Sequence, residues 1–172
     1  QAGILAGRRD LIQKIKKNPL KRVLRVGKVT LAGLEAVLRL YRNPDTLPQR
    51  LSVLQLLTRP ASDMQAQADR LMPQLQTALT RCGLSLKAQS VKSQIGSGSL
   101  PVERLPSVAL AIEASTKAHE KNVVRLERLL RASETAVIGR LSEKTLLLDL
   151  RCLTADKETV FVGHVLAAAT NL

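Results

Sequence analysis

Apolar positions recur along the chain with two different periods, and the change from one to the other divides it. Residues 8–17 carry Leu11, Ile12 and Ile15, the sparse stripe of an amphipathic helix. Asn18-Pro19 stops it, because the ring removes a donor and restricts the residue before it. The chain then continues as a loop. Thr30 is placed to cap a long helix with Leu31, Leu34, Val37, Leu38 and Tyr41 on one face. Arg39 and Arg42 stand near its C-terminal end, and Asn43-Pro44-Asp45 ends it. Residues 47–57 predict another helix through Leu51, Val53, Leu54 and Leu57. Beyond Arg59-Pro60 a further helix starts at Ser62 and Asp63, carries Met64, Ala68, Leu71, Leu75 and Leu79, is expected to kink at Pro73, and stops after Arg81 at Gly83.

After Gly83 the period shortens. Residues 84–91 partly alternate, residues 108–112 form a short apolar run, and residues 136–141 and 146–150 flank Ser142-Glu143-Lys144 like the arms of a hairpin. Residues 116–131 and 156–168 read as helices. Strands and helices mixed without a βαβ rhythm predict an α+β lobe with a mostly antiparallel sheet and flanking helices. At the other end, residues 1–7 read as a short buried strand ending at a glycine, so the chain reads as the C-terminal piece of something larger.

A chain of 172 residues holds one good core, or two small lobes joined by a helix. Its 45% hydrophobic content excludes wholesale disorder. No apolar run approaches the roughly 18–20 residues that cross a bilayer. The net charge of +13 is uneven: 13 basic against 3 acidic residues up to Arg59, and 14 against 11 beyond it. Residues 14–28 hold seven cations and no acid. The first third is therefore the anion-facing part, open on charge alone to nucleic acid, an anionic membrane surface or phosphorylated small molecules. With one Tyr, one Phe and no Trp, base stacking worth about 1–3 kcal/mol per base is not the main mode, so any RNA is held through its phosphates. Cys82 and Cys152 stand 70 positions apart outside any ligand spacing and read as reduced, buried thiols. His119 and His164 fall on separate predicted helices, and no metal site is expected.

Six runs carry a resemblance. They are Gln1-Ala2-Gly3-Ile4, Asn18-Pro19-Leu20-Lys21-Arg22-Val23-Leu24-Arg25, Thr30-Leu31-Ala32-Gly33-Leu34-Glu35-Ala36-Val37-Leu38-Arg39-Leu40-Tyr41, Leu56-Leu57-Thr58-Arg59, Ser93-Gln94-Ile95-Gly96-Ser97-Gly98-Ser99-Leu100-Pro101 and Leu148-Asp149-Leu150-Arg151-Cys152-Leu153. In this order, over nearly the whole chain, they resemble bacterial selenocysteine synthase, the L-seryl-tRNA(Sec) selenium transferase family. The resemblance implies a cytoplasmic, fold-type I enzyme that uses pyridoxal 5'-phosphate to convert seryl-tRNA(Sec) to selenocysteinyl-tRNA(Sec) with selenophosphate, assembled as a homo-oligomeric ring of dimers. Residues 1–58 would be the end of the large cofactor-binding domain with connecting helices, and residues 59–172 the small α+β domain. The resemblance also implies that the cofactor lysine lies upstream of Gln1, so that this stretch alone is inactive. Lys14, Lys16 and Lys17, on a predicted surface helix, lack the desolvation that lowers a lysine pKa for covalent work.

By the same resemblance Arg22 and Arg25 contact the cofactor phosphate or selenophosphate. The chemistry agrees, since a guanidinium can grip a phosphate with two hydrogen bonds where lysine offers a point charge. Three positions apart, the two converge on one anion if the loop turns helically; the alternative is a solvated basic face. Lys21 and Lys28 are further candidates for that anion. Gly27 and Val29 stand where the family pattern has an acid and a methionine, which makes the loop more cationic and less rigid around Lys28. Gly96-Ser97-Gly98-Ser99 lacks the ending and preceding strand of a phosphate-binding loop and reads as a turn between strands, with Gln94 or Ser97 able to supply hydrogen bonds toward the active-site cleft. Arg151 is expected to pair with Asp149 on one strand face. Arg125, Arg128 and Arg131 form a helix edge that could meet tRNA phosphate, but interleaved Glu120 and Glu127 favour a solvated face. A rival to the enzyme reading is a non-catalytic basic RNA-binding module.

Overall fold

The computed structural model describes residues 3–94 and 104–172. The chain divides into two compact units, Gln1–Leu54 and Gln55–Leu172. Among the described residues no helix is long and apolar enough to cross a membrane.

The first unit is a succession of helices with locally made bonds. Helix α1 spans Arg9–Lys17, a 3-10 turn spans Pro19–Arg22, and α2 spans Lys28–Leu40. Neither α1 nor α2 buries a residue. Leu11, Ile15, Leu31 and Leu38 on their apolar stripes are 47–52% exposed. The strand expected over residues 1–7 is not found: residues 3–7 have no regular structure and are exposed, because no described neighbour offers them a ladder. Nor does Thr30 cap α2. The helix begins earlier, with Gly27 extended at its cap (φ −68°, ψ 159°) and its carbonyl accepting from Leu31 N at 3.0 Å, which puts Thr30 inside the first turn. The helix expected over residues 47–57 is two pieces, α3 (Leu47–Arg50) and α4 (Ser52–Thr58). Leu51 lies between them with ψ at 107°, an extended value that cannot carry the helical ladder.

The second unit is the α+β lobe. Helix α5 (Ala61–Arg81) runs through Pro73 and leads to strand β1 (Leu84–Ser93). Strand β2 (Leu105–Ala114), helix α6 (Glu120–Arg131), strands β3 (Arg140–Ser142) and β4 (Thr145–Asp149), and helix α7 (Glu158–Thr170) follow. The sheet order is β1-β2-β4-β3, antiparallel throughout. One face, from Leu84, Leu86, Val108, Leu110, Ile112, Leu146 and Leu148, packs on the apolar stripes of α5, α6 and α7, including Met64, Leu75, Leu126 and Val165. The other face carries a small cluster of Ala109, Ala111 and Leu147 with Val91 beside it. Residues 136–139 do not extend β3. They pass over the side chains of β4, so closely that a Cβ at Gly139 would lie 2.6 Å from Leu146 Cδ1 and 2.7 Å from Leu148 Cδ2. The hairpin turn is made by Glu143 (φ 47°) and Lys144 (φ 73°), both left-handed, the twist that a two-residue hairpin loop demands.

Gly83 ends α5 with φ at +72°, and a Cβ there would fall inside 3.0 Å of the His119 ring. Left-handed strain and overlap add, so Gly83→Ala is expected to cost about 2–3 kcal/mol. A denaturant midpoint shift of that size, with an unchanged slope, would be the expected reading.

Candidate functional site

The basic turn owes its geometry to Asn18. Its side-chain Oδ1 accepts from Leu20 N at 2.9 Å and its carbonyl from Lys21 N at 3.1 Å, while Val23 N and Leu24 N both donate to Leu20 O. Pro19, with its fixed φ, opens the turn at a position where no donor is needed. Residues 19–22 of the stretch expected to run as a loop therefore form a 3-10 turn, and Arg25 follows it without regular structure. Lys21, Arg22 and Arg25 line one open concavity of about 810 Å³, together with Asn18, Leu5, Ile15, Leu20 and Leu24. All three cations are exposed and none has a carboxylate partner among the described residues. The acids nearest in sequence are taken elsewhere: Asp10 pairs with Arg8 at 2.7 Å, which holds its carboxyl below the usual range, and Glu35 pairs with Arg39 at 2.7 Å. The lining mixes apolar walls with uncompensated guanidinium, an arrangement suited to a phosphorylated or otherwise anionic small group.

Other candidates fall elsewhere. Lys28 opens α2 and does not line the concavity. Gln94 belongs to the second unit, exposed just past the end of β1. Ser97 and the turn expected at residues 96–99 lie outside the described residues. The Arg151–Asp149 pair is not formed. Asp149 ends β4, and its carboxylate instead accepts from Ser93 Oγ at 2.5 Å, Ser107 Oγ at 2.6 Å and the Arg151 main-chain N–H at 3.1 Å. That last bond starts a 3-10 turn, Leu150–Cys152, which swings the Arg151 side chain inward. Its guanidinium, 5% exposed, donates to the carbonyls of Leu56, Leu57, Arg59 and Pro106.

The expected arginine edge on α6 is broken up by internal bonds. Arg125 donates to the carbonyls of Asn171 and Leu172, and Arg131 pairs with the buried Glu127. Glu120 pairs with Lys144 at 2.9 Å. Both cysteines are free thiols, but neither is fully buried: Cys82 is half-buried, and Cys152 is exposed, since Leu150 and Arg151 take the inward positions of its short turn. Among the described residues no cluster of His, Cys, Asp and Glu could hold a metal ion.

A second polar cluster escaped sequence reading altogether. Arg59 donates to the carbonyls of Leu150 and Leu153, each at 2.9 Å, and to Gln67 Oε1 at 2.6 Å. The buried Gln67 passes its own amide to Glu158 at 2.7 Å, and Arg70 grips that carboxylate at 2.5 and 3.0 Å. Burial pushes the Arg59 pKa down, and Arg70 holds the Glu158 carboxyl below the usual range. These partners stand up to 94 positions apart, so no local spacing announces them. The one signal was that Arg59 and Leu153 both fell inside runs that resemble the family.

The second unit is thus an α+β lobe, and the first carries a cationic turn whose Lys21, Arg22 and Arg25 have no carboxylate partner among the described residues. The family described as L-seryl-tRNA selenium transferase matches residues 1–154, and the chain belongs to it. The chain is 48% identical over 169 residues to the L-seryl-tRNA(Sec) selenium transferase of Klebsiella pneumoniae (strain 342), covering 96% of this chain and 35% of that protein. Against the protein of the same name from Serratia proteamaculans (strain 568) it is 50% identical over 156 residues, 91% of this chain and 33% of the relative. The Rhizobium meliloti (strain 1021) protein is 45% identical over 158 residues, 92% and 33% respectively. The chain thus spans about a third of the length of the curated relatives it matches.

Proposed function

We propose that this chain forms part of an enzyme that converts seryl-tRNA(Sec) to selenocysteinyl-tRNA(Sec) with selenophosphate, on a fold-type I scaffold using pyridoxal 5'-phosphate. The observation that carries the reading is that Arg22, Arg25 and Lys21 line one concavity and have no carboxylate partner among the described residues. In that role the two guanidiniums bind and orient a phosphate-bearing group and neutralise its charge, each offering paired N–H donors. Lys28 adds to the positive field from the start of α2. The concavity suits the phosphate of pyridoxal phosphate or of selenophosphate, whereas Lys14, Lys16 and Lys17 are exposed on α1 and not desolvated for covalent work. When bound, pyridoxal phosphate supplies an electron sink for loss of the serine hydroxyl. Gln94 offers its carboxamide to the aminoacyl group of the substrate, and Ser97 is assigned the same kind of contact. Residues 1–58 act as the end of the large domain and residues 59–172 as the small domain, in a cytoplasmic homo-oligomer built as a ring of dimers. The half-exposed apolar stripes of α1 and α2 support such burial against further protein surface.

The test is selenium incorporation. A full-length protein carrying this sequence, given seryl-tRNA(Sec), labelled selenophosphate and pyridoxal phosphate, is expected to yield selenium-labelled tRNA, and to stop when the cofactor is withheld. Seryl-tRNA recovered unchanged under all conditions, with binding that only weakens as salt rises, would instead point to a non-catalytic RNA-binding module.

A further inference from the structure

Two of the runs that resemble the family meet at one carboxylate: Ser93, which opens the first, and Asp149 of the second stand 56 positions apart. Asp149 lies on β4, which pairs with β2 and not with β1. Its side chain nevertheless reaches Ser93, the last residue of β1, at 2.5 Å, and Ser107 of β2 at 2.6 Å. Ser93 is matched in register with Leu105, so the carboxylate ties the strand ends at which the β1–β2 connection leaves and re-enters the sheet. Arg151 adds a bond to Pro106 O beside it. Ser93 and Ser107 are both buried, and the two hydroxyls with one main-chain N–H are the partners that satisfy Asp149. Main-chain pairing already sets the register of this ladder, and a half-buried carboxylate without a cationic side-chain partner is a costly way to repeat it. Such a network earns its place by fixing an atom position.

Next in the chain after Ser93 is Gln94. This residue is exposed and makes no side-chain bond among the described residues. Its amide offers a donor and an acceptor together, which matches the ammonium and carbonyl of an aminoacyl ester. We infer that Asp149 is a positioning residue that acts through Ser93 to hold Gln94 against the seryl group of the aminoacylated tRNA. The inference rests on the reading of Gln94 as a substrate contact.

Ser93 and Ser107 supply the test, since both bond Asp149 but one alone adjoins Gln94, and neither replacement removes the carboxylate itself. In the full-length transferase, Gln94→Ala is expected to raise the KM for seryl-tRNA(Sec) about tenfold with kcat kept. Ser93→Ala should reproduce that rise, and the combined Ser93→Ala, Gln94→Ala variant should add little to either. Ser107→Ala should lower thermal stability about as much as Ser93→Ala while leaving that KM unchanged. Equal KM changes from the two serine variants would show a purely structural carboxylate and overturn the inference. So would a Ser93→Ala enzyme of normal KM beside an impaired Gln94→Ala enzyme. If Gln94→Ala itself has a normal KM, the substrate-contact reading fails first and the positioning role falls with it.

Discussion

Replacing Arg151 by methionine is expected to lower the melting temperature of the second unit by roughly 10–20 °C, the size of shift that a loss of about 3–5 kcal/mol produces in a unit of this length. The side chain is 5% exposed, and its guanidinium donates to four main-chain carbonyls, those of Leu56, Leu57, Arg59 and Pro106. Leu56 and Leu57 belong to the last turn of α4, where carbonyls have no intrahelical donor and must find one elsewhere. Pro106 lies in β2. One cation thus caps a helix and ties it to the sheet. Methionine keeps much of the apolar stem but leaves four acceptors unpaired, and each buried polar group left so costs about 1–3 kcal/mol. Partial access of water to the vacated space sets the total below the simple product. Arg151→Lys should recover less than half, since one ammonium cannot reproduce the planar fork that spans both sets of carbonyls. Differential scanning calorimetry reads both variants, and a shift of only a degree or two for the methionine variant would mean that water replaces the guanidinium freely.

That arginine also shows where the sequence stops being legible. Nearness along the chain points to Asp149 as its partner, whereas its side-chain acceptors stand 45 to 95 positions away. Elements written in local chemistry agree with the structure: the stripe of α5 with its glycine stop, the alternation of β1 and the apolar run of β2, while the hairpin expected at Ser142-Glu143-Lys144 turns on Glu143 and Lys144 alone, with Ser142 in β3. Errors arose where a local signal competed with another. Thr30 is a good cap, yet the chain is already extended at Gly27 three positions earlier, and α2 starts from there. An apolar run like that of residues 3–7 suggests a strand, but a strand needs a neighbour that sequence alone does not provide. In the candidate site, the arginines themselves were legible as charge and as motif. That they line one concavity is legible only as a condition, a helical turn of the loop, because the turn depends on Asn18 closing around Pro19 and Leu20.

Direct contact of both guanidiniums with one phosphate, as proposed, has a measurable consequence that net charge does not share. In the full-length transferase, the double replacement Arg22→Ala, Arg25→Ala is expected to raise the KM for selenophosphate by roughly 10²–10³. The figure follows from two hydrogen-bonding cations worth about 1.5–3 kcal/mol each, discounted because both side chains are exposed. Lysines at both positions restore charge without the paired donors and should recover only about tenfold of that loss. The decisive comparison is Lys16→Ala, Lys17→Ala, which removes two charges from the exposed end of α1 at positions that do not themselves line the concavity, although Ile15 and Asn18 on either side do. A diffuse field would make the two double variants equivalent, and both effects would fade as salt shortens the Debye length to about 8 Å near physiological strength. A phosphate held by direct contact makes them unequal: the α1 variant should stay within a factor of about two of the parent, while the arginine variant keeps most of its defect at 0.5 M salt. Equal defects in the two would reduce residues 14–28 to a solvated basic face and withdraw the assignment of Arg22 and Arg25.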